Sequence, residues 1–137
     1  MTDKILDKYT NRKPAELPGA DLATEIEALD DLGAFGWLRG IRDRATMLEL
    51  RRKDGNVRAI GYAWLHQIDF DPSEGITLHH AGQKIRIIGR NLNSEARSNV
   101  RMFQGITRAR VPWIQEADGP TLVQSAESAT IIEKIEW

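Results

Sequence analysis

The chain has 137 residues, 19 basic against 20 acidic side chains, no cysteine and 41% hydrophobic residues. That length fits one domain with a modest core, and the balance of apolar and charged residues excludes a disordered tail or a fibrous repeat. The lack of cysteine excludes a disulfide scaffold, a zinc ribbon and a thiol nucleophile. No apolar run approaches the roughly 20 residues of a membrane-spanning helix, and the start, MTDKILDKYT, has no signal-peptide stretch. A cytoplasmic protein without a membrane partner is expected.

Near-neutral net charge conceals an asymmetry. Residues 1 to 34 carry 4 basic and 8 acidic groups, residues 35 to 115 carry 14 and 7, and residues 116 to 137 carry 1 and 5. Acidic ends therefore flank a basic centre, either folding back on it or keeping a binding surface soluble.

In chain order, residues 1–18 are polar, broken by Pro14 and Pro18, and read as an N-terminal arm; residues 19–137 read as a single domain. Asp21 caps a predicted amphipathic helix carrying Leu22, Ile26, Leu29 and Leu32, which Gly33 ends. The segment FGWLRGIRDR, from Phe35 to Arg44, repeats apolar residues at three-residue steps, although Gly36 and Gly40 weaken a helix there. From Thr46 the period becomes two: Leu48 and Leu50 face one way, Glu49 and Arg51 the other. Asp54-Gly55 then turns the chain, because glycine accepts the positive φ of a tight hairpin, and Ile60, Tyr62 and Trp64 return along it. The parity of Val57 against Ile60 predicts a bulge or bend near Arg58 to Gly61.

After the Asp71–Gly75 loop, Ile76 and Leu78 meet Ile85, Ile87 and Ile88 across Ala81-Gly82-Gln83 in a second hairpin. Ser94 caps a predicted helix near 94–108, with Arg97, Arg101 and Arg108 along one stripe. Val111, Trp113 and Ile114 form a short strand, which Pro112 consigns to an edge. Asp118 to Ala129 is a polar linker, and Ile131, Ile135 and Trp137 mark a closing strand. The expected fold is mostly β with flanking helices, a small bent-strand barrel of Sm-like or SH3-like kind.

Leu48-Glu49-Leu50, Asp54-Gly55, Gly61, Asp69, Asp71, Ile76-Thr77-Leu78 and the run IRIIGRNL from Ile85 to Leu92, taken together, resemble the two-part motif of Sm-like proteins. The resemblance covers residues 20–92 and implies an N-terminal helix on a bent five-stranded barrel, rings built by strand pairing, and binding of single-stranded RNA. Departures fall in the loops. Ser73, Glu74 and Gly75 stand where the family carries its base-stacking and base-reading residues, and Gly89-Arg90 reverses the family's arginine-glycine order. About fifteen residues, rather than a tight turn, precede Val111. Residues 46–115 also resemble a group of bacterial proteins, which adds no mechanism.

Between residues 84 and 110, Lys84, Arg86, Arg90, Arg97, Arg101, Arg108 and Arg110 face a single acid, Glu95. Arg86, Arg90, Asn91, Arg97 and Arg101 are the candidate nucleic-acid contacts, since basic side chains displace counterions from phosphates, with Trp64, Tyr62 or Phe103 available to stack on bases. The alternative is a solvated basic face over an aromatic core, or recognition of an acidic protein partner. His66, Asp69, Asp71, His79 and His80 cluster in sequence, but adjacent His79 and His80 point to opposite strand faces, and the histidines read as surface or core rather than as metal ligands. No G-x-S-x-G, glycine-rich phosphate loop or H-E-x-x-H occurs. The expectation is a non-enzymatic, homo-oligomeric binding module without cofactor or metal. It contacts RNA or single-stranded nucleic acid; the alternative is a protein-interaction or self-assembly module.

Overall fold

The computed structural model describes residues 29–137. The predicted arm and the first turns of the predicted N-terminal helix lie outside those residues. The end of that helix is instead a strand: β1 (Leu29–Asp31) pairs antiparallel with β2 (Gly36–Leu38), Leu29 opposite Leu38. Helical periodicity loses here because Gly33, at φ 87°, turns the chain back on itself. Asp31 fixes that turn by accepting from the Gly33 N–H, and Phe35 and Trp37 are then drawn into the core.

The first predicted hairpin is present. β3 (Met47–Arg51) and β4 (Val57–Gly61) pair in unbroken register, with Leu48, Leu50 and Ile60 buried beneath them. Of the bulge or bend expected near Arg58 to Gly61, the ladder shows no bulge. Val57 is simply on the outer face, 55% exposed, and the bend comes afterwards, where Tyr62–Trp64 form a 3-10 turn. That corner leads into β5 (Leu65–Asp71), which pairs with β6 (Gly75–His80), which pairs with β7 (Gln83–Arg90). Ala81 and Gly82, both at positive φ, close the second predicted hairpin in two residues.

The helix expected near 94–108 is largely replaced by a small hairpin of β8 (Glu95–Arg97) and β9 (Val100–Arg101); only α1 (Met102–Thr107) is helical. Asn99, at φ 63°, takes the left-handed conformation that asparagine tolerates better than most residues, and its N–H donates to the Glu95 carboxylate across the turn. The stripe of three arginines therefore does not exist: Arg97 is in a strand, Arg101 precedes α1 and Arg108 follows it.

β10 (Trp113–Gln115) runs parallel to β3 at the margin of a three-stranded ladder, as Pro112 demanded, and the Pro112 carbonyl still accepts from the Glu49 N–H. Within the expected linker, α2 (Gly119–Gln124) is capped by Asp118 accepting from the Thr121 N–H. The closing strand, β11 (Ile131–Glu136), pairs with β7 and slips register between Ile132 and Lys134, so that Ile131, Ile132 and Ile135 are all buried. The strand order is β10-β3-β4 in one ladder and β11-β7-β6-β5 in the other, with β1-β2 and β8-β9 as separate pairs. The chain is thus a small, mostly β structure, and among the described residues no ladder closes into a barrel. One apolar cluster runs beneath both main sheets, joining Phe35, Leu48, Leu50 and Ile114 to Ile76, Leu78, Ile85, Ile87, Met102, Ile106 and Ile132. Among the described residues no helix is long and apolar enough to cross a membrane.

Candidate functional site

The five predicted contact residues fall in three places. Arg86 projects from β7 onto the outer face of the four-stranded sheet, where Glu74 meets it at 3.4 Å and Glu136 at 3.9 Å. Both acids are solvent-exposed and at the long end of ion-pair range. Arg90 and Asn91 end β7 beside the α2 region. Asn91, at φ 57°, donates its side-chain amide to the Glu127 and Ala129 carbonyls at 2.7 and 2.8 Å, while its own carbonyl accepts from the Thr130 hydroxyl. Asn91 thus clamps the segment that leads into β11.

Arg97 and Arg101 belong to the β8–β9 hairpin. Arg97 bonds to Asp30 on β1, which Arg39 also contacts at 2.9 Å. The hydrogen bond from Arg97 is the chief reason the Asp30 carboxyl lies below its ordinary range, with the charges of Arg97 and Arg39 acting in the same direction. Arg101 donates to the Asn93 carbonyl at 2.9 Å. Arg110 is used in the same manner, donating to the carbonyls of Leu38, Gly40 and Ile41 with its guanidinium 5.2 Å from the Trp37 ring.

Arg90 differs from the other four. Like Arg97 it is exposed, but among the described residues its one side-chain bond is a 3.3 Å contact to the Leu122 carbonyl. Arg90 is one of the residues lining a groove of about 400 Å³, with Phe70, Pro72, Gly89 and the segment Asn91 to Ser94. Phe70 is held in that wall by Phe103, with ring centroids 5.3 Å apart. Arg101 shapes the same groove from behind by tying down Asn93. Of the aromatic residues proposed for stacking, Phe103 therefore supports Phe70. Tyr62 is half-buried with its hydroxyl bonded to the Val111 carbonyl at 2.6 Å, and burial pushes its ionisation upward. Trp64 is 67% exposed on the corner turn.

Three features were missed by sequence reasoning. Phe70 lies in β5 just ahead of the Asp71–Gly75 loop, and nothing local marks it as a groove wall. Tryptophans serve as arginine platforms: Arg52 lies 3.6 Å and Arg58 5.0 Å from the Trp137 ring centroid, and Arg51 4.6 Å from that of Trp113. Glu116, buried just after β10, accepts from the Lys53 N–H at 2.9 Å and the Ile135 N–H at 2.7 Å. Arg52 donates to the Ile135 carbonyl and the Ala117 N–H to that of Ile132, so the outer edge of β11 is capped.

His79 and His80 obey strand alternation, while His66 sits at a register slip in β5. His79 faces outward and meets Asp69 at 2.9 Å, whereas His80 points inward with its Nε2 buried and, among the described residues, without a partner. No family model matches the chain, and neither the curated proteins nor the solved structures yield a match.

Proposed function

We propose that the chain is a non-enzymatic, oligomeric binding module of the bent-strand, Sm-like or SH3-like kind, acting in the cytoplasm. It contacts RNA or single-stranded nucleic acid along the groove between Phe70, Pro72 and Gly89–Ser94. The observation that carries this reading is that one groove is lined both by an aromatic residue, Phe70, and by the exposed Arg90. A nucleotide offers the matching pair, a flat base and a phosphate. Asn91 and Arg101 shape the groove through the backbone they hold, while Arg86 and Arg97 each meet an acid.

Fluorescence anisotropy of labelled U-rich, A-rich and mixed RNAs at low and physiological salt tests the reading. Binding that weakens steeply with salt is expected, and Arg90→Ala should weaken it and reduce the slope of log affinity against log salt by about 1. Absence of binding at low salt overturns it.

A second reading, self-assembly without nucleic acid, rests on β4. The Arg52–Asn56 and Thr46–Tyr62 hydrogen bonds place the even residues of β4 against β3. The backbone groups of Val57, Ala59 and Gly61 therefore face away from β3. Beside this edge, which is unpaired among the described residues, Met47, Val57 and Trp64 are 45%, 55% and 67% exposed.

A further inference from the structure

We propose, resting on the nucleic-acid reading of the groove, that Asn93 selects the base held there and that this base is adenine. Asn93 lines the groove together with Phe70 and Arg90. It is partly buried, and its Oδ1 is shut off from solvent with no hydrogen-bond partner among the described residues. The one other such side-chain atom among those residues is His80 Nε2, which does not line the groove. Native folds leave few buried acceptors unpaired. An N–H brought by a ligand supplies the partner that the fold does not.

The main chain of Asn93 is fixed while its Oδ1 is held by nothing. The Asn93 carbonyl accepts from Arg101 at 2.9 Å, and the carbonyl of the preceding Leu92, itself buried, accepts from the Phe103 N–H at 3.0 Å. Phe103 also packs against Phe70, so one residue braces both the aromatic wall and the segment that carries Asn93. The terminal torsion of asparagine is broad and two-fold, so the carboxamide turns to meet a base while the backbone stays in place.

A carboxamide sets an acceptor beside a donor and pairs with a base edge that sets a donor beside an acceptor. Adenine does this on two edges, because its N6 amine lies between N7 and N1, and the N6–N7 edge is the usual partner of asparagine. In a single strand both edges are free. The N7 edge of guanine carries two acceptors and would leave Oδ1 unanswered. Uracil and cytosine offer one ring to stack on Phe70, whereas adenine offers two. Arg90 meets the phosphate, which positions the strand and reads no base.

The test is fluorescence anisotropy of the full chain with three labelled short RNAs: oligoadenylate, oligouridylate, and an oligoadenylate in which purine, lacking the N6 amine, replaces each adenine. The parent should prefer oligoadenylate to both other strands by at least about tenfold. In Asn93→Ala the penalty for removing the amine should vanish, while affinity for oligouridylate stays within about threefold of the parent's. A merely structural role for Asn93 would instead weaken all three strands alike. Far-ultraviolet circular dichroism checks the fold of the variant, and the purine strand probes the intact parent should the variant fail to fold. Equal affinity of the parent for the adenine and purine strands, or an undiminished amine penalty in Asn93→Ala, overturns the role of Asn93 and leaves RNA binding standing. Absence of binding to every strand at low salt overturns the nucleic-acid reading and the role of Asn93 with it.

Discussion

Glu116 is a charged residue placed where charge is costly, and its two backbone partners explain why it stays. Its oxygens close the Lys53 and Ile135 N–H groups, one on the first hairpin and one on the last strand. Glu116→Ala leaves both donors without a partner in a buried place and should destabilise the protein by about 2–4 kcal/mol, read from the urea midpoint at unchanged m-value. Asp30 gives a prediction in pH. Its folded pKa is depressed, first by the Arg97 hydrogen bond, so its stabilisation is present above the unfolded carboxylate value of about 3.9 and is lost as pH falls toward the folded one. Asp30→Asn should therefore lower the melting temperature at neutral pH, with the difference from the parent closing in strong acid.

At the level of elements, the two main sheets treat their margins differently. β10 is bridged by Phe35 opposite Ile114, and the Gln115 N–H reaches the Ala34 carbonyl; β11 is capped by Glu116, Arg52 and Ala117. β4 has no such cover among the described residues. A lysine at Val57 places a charge on this edge while leaving the buried Leu48, Leu50 and Ile60 untouched. Under the assembly reading, Val57→Lys should shift the mass seen by light scattering toward monomer with little change in melting temperature; an unchanged mass would remove β4 from that role. The β7–β11 pair is tight. A Cβ at Gly89 would run into the Ile131 carbonyl oxygen, so Gly89→Ala should force β11 away and destabilise the fold, visible as a lower urea midpoint.

For the whole molecule, the basic centre read from the sequence is mostly internal wiring. Arg86, Arg97, Arg101 and Arg110 each hold an acid or a carbonyl, and among the five predicted contacts Arg90 is the one whose engagement is slight. Substituting Arg97 or Arg101 should thus cost stability before affinity, while Arg90→Ala should cost affinity at an unchanged melting temperature. Melting curves run beside the anisotropy titrations separate the two effects.

The β periodicity of residues 46–51 and 76–88, the Asp54-Gly55 and Ala81-Gly82 turns and the edge position of Pro112 were legible in the sequence, because each follows from local backbone chemistry and alternation. The conversion of Leu29–Asp31 to strand, the hairpin in place of a helix at 95–101, the groove at Phe70 and the arginine platforms were not. Each depends on partners far along the chain, Leu38, Asp30, Phe103 and Trp137 among them, and pairing across such distances is decided by the burial and hydrogen bonds of the assembled fold. The sequence by itself determined a small, mostly β chain with a basic centre. The tertiary structure decided which basic residues are already used, because a guanidinium bonded within the fold and one facing solvent are identical until their neighbours arrive.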